Sequence, residues 1–231
     1  MSRTARLALS SLALSFAATA AQANVQITEF EYNGNGDPTG TSEFVELTNL
    51  GSTAVDFTGW SFDDSSRTPG SFSLSVLGLV AAGQSVLIVE GTATDFRSAW
   101  NLADSVKIAG GNANNLGRSD EINIYDAGGT LVDRLTYGDQ VFAGTVRAAT
   151  SSATPLTLAD LTPQTITTNW VLSTTGDAFG SAASLNGDIG NPGIFSLAPA
   201  VPEPSTYALM LAGLGVMVGV VRRKRNVAFA V

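Results

Sequence analysis

The sequence has neither cysteine nor histidine among its 231 residues. Without cysteine the chain has no disulfide, no thiolate nucleophile and no zinc–thiolate site. Without histidine it has no imidazole base and no histidine metal ligand, which removes the side chains that many hydrolases and transition-metal sites use. Carboxylates are therefore the side chains left to carry acid–base or metal chemistry.

Basic residues are scarce away from the two ends of the chain. Six of the twelve Lys and Arg residues lie within the first six residues or in the run 222–225. The stretch 24–203 holds the other six together with all twenty Asp and Glu residues, so its formal charge is −14. A body this acidic repels phosphate backbones, and nucleic-acid binding is not expected.

The N-terminal 23 residues have the pattern of a secretory signal peptide. Two arginines precede an apolar run over 7–20, which is short for a membrane span, and Ala21 and Ala23 form a small-x-small cleavage site. We expect cleavage before Asn24 by signal peptidase, after export by the secretion machinery. The mature protein is therefore predicted to leave the cytoplasm.

The stretch 43–64 predicts two strands joined by a turn at 49–52. Apolar residues alternate with polar ones in the first half, which is the period of a half-buried strand. Asn and Gly in the turn tolerate a left-handed backbone. We expect Trp60 and Phe62, in the second half, to seed a hydrophobic core.

The rest of the body is predicted to be strand-rich. Further strands are predicted at 25–30, 71–77, 85–90, 106–108, 121–125, 131–135 and 169–173. One helix is predicted over 92–102, with Thr94 as its cap. Residues 140–165 show little periodicity and are interpreted as a loose connection, and a turn cluster at 187–193 closes the domain.

The C-terminal tail has three parts in a fixed order. A Pro-rich linker over 196–205 leads into an apolar stretch, Tyr207–Val221, and then into a dense basic run. That run consists of Arg222, Arg223, Lys224 and Arg225. We interpret 206–225 as a single transmembrane helix with a basic stop that stays in the cytoplasm, so that the body lies outside.

This tail resembles the PEP-CTERM sorting signal of Gram-negative bacteria, with Pro202, Glu203 and Pro204 as the motif. The resemblance implies processing by an exosortase, a membrane cysteine protease or transpeptidase. It also implies an inner-membrane-anchored precursor that moves to the cell surface or the extracellular matrix. An uncleaved C-terminal anchor is the alternative.

The body, 24–195, resembles the lamin tail domain, a family of immunoglobulin-like β-sandwiches. The resemblance implies an all-β sandwich between the signal peptide and the transmembrane helix. It is carried by Ile27–Phe30, Glu43–Asn49, Phe57–Trp60, Ala82–Gln84, Ser119–Ile122, Val132–Asp133 and Asn191–Gly193. These are core and turn positions, so they indicate a fold rather than a ligand.

Carboxylates provide the candidate chemical sites. A hard cation could bind at Asp63–Asp64, Asp120–Glu121, Asp188 or the polar loop Asn33–Gly40, and Glu43 with Glu46 could act as an acid–base pair. Residues 43 and 46 are three apart, however, so on a strand they point to opposite faces. A solvated acidic surface is the favoured interpretation. We predict no catalytic residue, no metal ligand and no cofactor, with calcium left open.

The favoured function is that of an exported, non-catalytic structural, adhesion or binding module, and not an enzyme. Its expected partners are an exosortase-type protease, the membrane before processing and extracellular polysaccharide. Two alternatives stay open: an enzyme that acts on polysaccharide through carboxylates, and a calcium-dependent binding module.

Overall fold

The computed structural model of the protein describes residues 24–35, 39–161 and 165–196. The strands in these ranges are β1 (Val25–Glu31), β2 (Phe44–Asn49), β3 (Val55–Asp56), β4 (Ser61–Asp63), β5 (Phe72–Ser73), β6 (Leu79–Val80), β7 (Ser85–Val89), β8 (Lys107–Ala109), β9 (Asp120–Tyr125), β10 (Leu131–Tyr137), β11 (Ala153–Pro155), β12 (Thr165–Ile166), β13 (Trp170–Leu172), β14 (Ala182–Ala183) and β15 (Ile189–Gly190). The helix α1 spans Ala93–Ala99, and single turns of 3-10 helix span Ser75–Leu77 and Leu158–Asp160. The described part of the chain is therefore mostly β-sheet.

Most of these strands lie in two sheets. The larger has six strands in the order β13-β11-β1-β2-β7-β8, and the smaller has five in the order β12-β10-β9-β4-β5. The neighbours pair antiparallel except for β7 with β8 and β10 with β12, which are parallel. Two short ribbons, β3 with β6 and β14 with β15, complete the described strands.

The main hydrophobic core lies between the two sheets. The larger sheet contributes Ile27, Leu47 and Ile88, and the smaller contributes Phe62 and Ile122 to the same buried cluster. Side chains alternate between the two faces of a strand, so these apolar positions are two apart along each strand. The protein is thus a β-sandwich, as the sequence predicts.

The outer face of the larger sheet is also covered. Helix α1 packs on one part of it, where the ring of Phe44 lies 5.6 Å from the rings of both Phe96 and Trp100. The C-terminal strap, which we define as residues 188–196, crosses another part of the same face. Strands β1, β2 and β7 are therefore buried along their whole lengths.

Several local predictions are wrong. The strand predicted at 71–77 is a two-residue strand followed by a 3-10 turn, in which Leu77 is buried and Val76 is exposed. The helix is capped by Thr92 rather than Thr94, because the Thr92 hydroxyl accepts the Asp95 N–H. Alternation of small polar and apolar residues does not distinguish these short elements.

The segment 140–165 is not a loose connection. It contains β11, which pairs with β1 on one side and β13 on the other within the larger sheet. Only three residues of β11 pair, and its last residue is Pro155, so the alternation of residues is too short to detect.

The two aromatic residues expected to seed the core differ in burial. Trp60 is only half-buried at the edge of the core, whereas Phe62 is fully buried as expected.

Both targeting segments lie outside the described residues. These include the predicted signal peptide with Ala21 and Ala23, the motif at 202–204 and the basic run at 222–225. Within 24–35, 39–161 and 165–196, no helix has the length and apolar character needed to cross a membrane.

Candidate functional site

Many of the carboxylates that the sequence predicts to be solvated are buried, so that prediction is wrong for them. The exposed fractions are 0% for Glu46 and Asp188, 2% for Asp63 and 5% for Glu43. Period-two patterning places Glu46 on the face of β2 opposite the core, but it carries no sign that the C-terminal strap covers that face. Glu43 and Glu46 contact different partners, as their spacing predicts.

A strip of buried carboxylates runs along the outer face of the larger sheet. Glu29 on β1 pairs in register with Glu46 on β2. Glu31 follows on β1, and Asp188 lies beside it at the start of the strap. No ion pair to any of these four carboxylates occurs in the described part of the chain. Hydroxyls and backbone N–H groups surround them instead.

The first two carboxylates of this strip hold the C-terminal strap in place. Oε1 of Glu29 accepts the N–H of Asn191 at 2.9 Å, and Oε2 of Glu46 accepts the N–H of Gly193 at 2.8 Å. The Thr28 hydroxyl donates to the other oxygen of Glu46 at 2.6 Å. At Asn191 and Gly193 the strap therefore satisfies its backbone donors with side chains of the sheet rather than by pairing as another strand.

Two glycines allow the strap to lie this close. A Cβ at Gly190 would come within 2.9 Å of the Glu29 carboxylate and the Ser152 hydroxyl. Gly193 has a φ of +94°, which L-residues with side chains rarely adopt. These requirements give the Asn191–Gly193 motif a physical role in closing the domain.

Burial dominates the electrostatics of the strip. It raises the pKa of Glu29, to which the charge of Glu46 adds, and it also raises the pKa of Glu46. Burial, with the charges of Asp188 and Glu29, raises the pKa of Glu31 to about 10, and the backbone of Thr150 opposes this only weakly. Neither oxygen of Glu31 has a hydrogen-bond partner of good geometry. Protonation, rather than pairing with Lys or Arg of the described residues, therefore removes the charge of these buried carboxyl groups.

The other predicted chelating carboxylates have structural roles. Asp63 accepts the Ser66 hydroxyl at 2.6 Å and the Thr68 N–H at 2.5 Å, so it orders the turn after β4. Glu121 forms a two-bond ion pair with Arg67, at 2.7 and 2.6 Å. Asp120 accepts backbone N–H groups from Ser65 and Gly117, and Asp64 accepts that of Ser66.

In the described ranges, no group of three or more Asp, Glu, His or Cys side chains is arranged to hold a metal ion. Asp188 is occupied by the Ser42 hydroxyl at 2.5 Å and the Asn35 N–H at 2.8 Å. The absence of a metal ligand, with calcium left open, stays a prediction that titration of the protein with calcium would test.

One polar cleft opens where loops meet at the end of the sandwich; we call it the end cleft. Its volume is about 190 Å³. It is lined by Tyr32, Asn33, Gly34, Gly40, Ser42, Glu43, Glu90, Asn115 and Leu116. These residues lie between β1 and β2, between β7 and α1, and between β8 and β9, so three separate connections build its wall.

Glu43 gives the end cleft its chemical character. Its Oε2 accepts the Leu116 N–H at 3.2 Å, while its buried Oε1 has no hydrogen-bond partner. Burial raises the pKa of Glu43 to about 8, and the charges of Glu90 and Asp120 add to this effect. At neutral pH, Glu43 is therefore chiefly a carboxylic acid, which can donate as well as accept.

Sequence reasoning missed the residues that define both features. Glu29 and Glu90 lie in the strands predicted at 25–30 and 85–90, and Asn33 lies in the polar loop Asn33–Gly40. No site was predicted at Glu31 or Asn115. One available signal was the absence of Lys and Arg from 25–49, since a solvated sheet face usually mixes both signs of charge.

These features define a class of protein: an acidic all-β sandwich in which the C-terminal strap covers part of the outer face of the larger sheet. The lamin tail domain family model matches residues 18–139, more than half of the chain, and the protein belongs to this family. The described sandwich continues past the match, since β11 and β13 extend the larger sheet.

A second family model, the PEP-CTERM protein-sorting motif, matches residues 200–225. This match confirms the resemblance of the tail, and it marks the chain as an exported protein of the exosortase-processed type. No curated protein matches the sequence significantly.

Proposed function

We propose that the protein is exported, processed at its tail by an exosortase-type membrane enzyme, and displayed at the cell envelope or in the extracellular matrix. There its sandwich acts as a non-catalytic structural, adhesion or binding module. The observation that carries this proposal is the joining of a lamin tail domain to a PEP-CTERM motif in one chain.

The physical character of the body supports display. Its acidic residues far outnumber its basic ones, and like charge discourages self-association. Pro202 and Pro204 favour an extended backbone at the motif, and proteases bind extended peptides readily. The proline content of the motif, between the body and the apolar stretch, thus suits it to cleavage.

Substitution of the motif tests this proposal. The triple variant Pro202→Ala, Glu203→Ala, Pro204→Ala should accumulate in the inner membrane as an uncleaved form. A chain that ends after Pro199 should appear free in the periplasm. Fractionation and immunoblotting give both outcomes, and Pro199→Ala, a proline change outside the motif, serves as the matched control. If the triple variant is shortened and exported like the parent, the motif is not the sorting signal.

An enzyme acting on polysaccharide is a second candidate, because Glu43 and Glu90 line one cleft and Glu43 has the raised pKa of a general acid. Release of new reducing ends from polysaccharide by the protein, abolished by Glu43→Gln, would establish it. Neither matched family is defined by catalytic residues, so the binding module is favoured.

A further inference from the structure

We propose that one end of the sandwich is a membrane-contact surface, which rests on the phospholipid head groups while the tail is still anchored. That end is formed by Asn24, the turns at 49–53 and 81–84, and the last residues of the C-terminal strap; we call it the exit end. This inference rests on the proposed function, because it concerns the precursor before its tail is cut.

Both ends of the described body leave the sandwich at the exit end. The carbonyl of Asn24 accepts the N–H of Leu50 at 2.7 Å, and the hydroxyl of Ser85 accepts the N–H of Phe195 at 3.1 Å. Ser85 pairs in register with Thr48, which directly precedes the turn at 49–53. The chain therefore sets out toward its C-terminal tail from this end of the molecule.

The tail keeps the exit end close to the membrane. Ten residues separate Ser196 from the apolar stretch Tyr207–Val221. A chain spans at most about 3.6 Å per residue, so this connection reaches about 40 Å only at full extension. A folded domain of this size has a radius of gyration of about 16 Å, so its opposite end meets the membrane only if the connection is fully stretched. A short tether gives an effective concentration of about a millimolar, at which a weak contact suffices.

The exit end carries large apolar side chains that the fold leaves in water. Val76 is 74% exposed, Leu79 62% and Ile194 69%. Lys107 joins the first two, because its Nζ donates to the backbone carbonyls of Leu77 and Leu79. These side chains stabilise nothing within the described fold, so they are free to contact another surface.

The third exposed side chain lies on the other side of Lys107. Ile194 and Val106 line a common cavity of about 320 Å³, together with Gln84 from a turn of the exit end. We define the exit patch as Val76, Leu79, Val106, Lys107 and Ile194. Apolar side chains around a lysine suit the membrane interface, because the apolar groups enter the head-group region while the ammonium group meets phosphate.

The exit patch is electrically balanced within an acidic body. Lys107 lies inside it, and Arg97 and Asp104 border it as an ion pair of 3.7 Å. Asp56 is a further acid beside it, on β3. The stretch 24–203 has a formal charge of −14. An anionic phospholipid surface therefore repels the rest of the body more than it repels the exit patch, which orients the sandwich with the end cleft away from the membrane.

Fluorescence quenching by lipid tests the proposal on the full-length protein. The chain has no cysteine, so one introduced cysteine carries the only label. The protein is reconstituted in vesicles of phosphatidylcholine and phosphatidylglycerol that carry a nitroxide on the lipid head group. A label at Ala82→Cys, in a turn of the exit end, should be quenched. A label at Ala113→Cys, between β8 and β9 at the opposite end, is the matched control and should not be quenched, although both alanines are exposed.

Charges placed in the exit patch should weaken the contact. Leu79→Glu with Ile194→Glu should each weaken it about fivefold, which is the effect of one charge near an anionic membrane surface, so the Ala82 label loses most of its quenching. Ala113→Glu with Asn115→Glu adds the same charge at the opposite end and should leave that quenching unchanged. All four replaced side chains are exposed, so both double variants should melt like the parent.

Several results would overturn the proposal. These are a lack of quenching at Ala82, equal quenching at Ala82 and Ala113, and an equal loss of quenching in the two double variants. A label at Ala82 that is shielded from aqueous iodide but not quenched by lipid would also overturn it, because that result indicates contact between two copies of the chain.

A label at Gly213→Cys, within the apolar stretch, distinguishes failure of the contact from failure of the anchor. Quenching of this label by a nitroxide on the acyl chain, without quenching at Ala82, overturns the membrane contact and leaves the sorting proposal in place. No quenching at Gly213 removes the anchored precursor and overturns both proposals. If the triple motif variant is exported normally while the Ala82 label is quenched, the sorting proposal fails and the membrane contact stands.

Discussion

At the scale of single residues, Phe57 and Trp60 show why burial matters more than size. Their ring centroids lie 4.5 Å apart, but Phe57 is fully buried whereas Trp60 is half-buried at the core edge. The indole, although larger, therefore leaves part of its surface in water. Its removal creates less of a cavity than removal of the phenyl ring.

We predict that Phe57→Ala lowers the free energy of unfolding by about 3–5 kcal/mol, and that Trp60→Ala lowers it by less. Urea denaturation, monitored by far-UV circular dichroism, measures the free energy of unfolding of both variants. This signal does not require the fluorescence of the indole that Trp60→Ala removes. An equal or larger loss for Trp60→Ala would show that the indole, not the phenyl ring, is central to the core.

The two faces of β2 show which aspects of burial the sequence predicts and which it does not. Alternation predicts correctly that Val45 and Leu47 share the core face, because period two follows from strand geometry alone. Alternation says which residues share the other face and nothing about what covers it. The burial of Glu46 depends on Gly193, which lies 147 positions further along the chain, so no local pattern could reveal it.

At the scale of elements, the C-terminal strap is the part of the fold that depends most on backbone conformation. It runs across the sheet without forming a strand along most of its length, and its N–H groups bond to Glu29, Glu46 and the Ser85 hydroxyl. The turn cluster at 187–193 was predictable from its Gly, Asn and Pro content. Its position over β1 and β2 was not, because that is a long-range contact.

Gly193→Ala should lower the free energy of unfolding by about 1–3 kcal/mol, because it adds strain at positive φ and a Cβ within 3.1 Å of Val106. Gly176→Ala is the matched control, since Gly176 has a φ of +78° but open space around its Cβ position. Gly176→Ala should lower the free energy of unfolding by less. The difference between the two variants in thermal denaturation then measures the effect of the close contact with Val106. If both lose the same stability, the fit of the strap against Val106 contributes nothing.

At the scale of the whole molecule, acidic groups divide into two sets with opposite effects. Burial raises the pKa of Asp63 and Asp177, but several hydrogen bonds together outweigh it and lower the pKa of both, and Arg67 lowers that of Glu121. These groups therefore stabilise the native state at neutral pH and lose that contribution in acid. Burial raises the pKa of a second set, which consists of Glu29, Glu31, Glu43, Glu46 and, to about 6, Asp133. This second set stabilises the native state in acid instead.

The buried set should dominate from mildly acidic to alkaline pH. Its members titrate near 4.5 or below when unfolded, but hold their protons up to about pH 10 at Glu31 in the native state. Between these limits the native state binds more protons than the unfolded state, so the free energy of unfolding falls as pH rises. Stability should therefore peak in mild acid, below which the first set loses its contribution.

We predict that the free energy of unfolding at pH 9 is lower than at pH 5 by at least about 2 kcal/mol, because each unit of raised pKa corresponds to about 1.4 kcal/mol. Glu31→Gln, which keeps the shape but cannot ionise, should flatten this decline between pH 6 and pH 10. Urea denaturation across that range measures the slope. Asp104→Asn, a change at an exposed carboxylate, should keep the slope of the parent. A parent protein equally stable at pH 5 and pH 9 would mean that the buried carboxylates have partners that neutralise their charge.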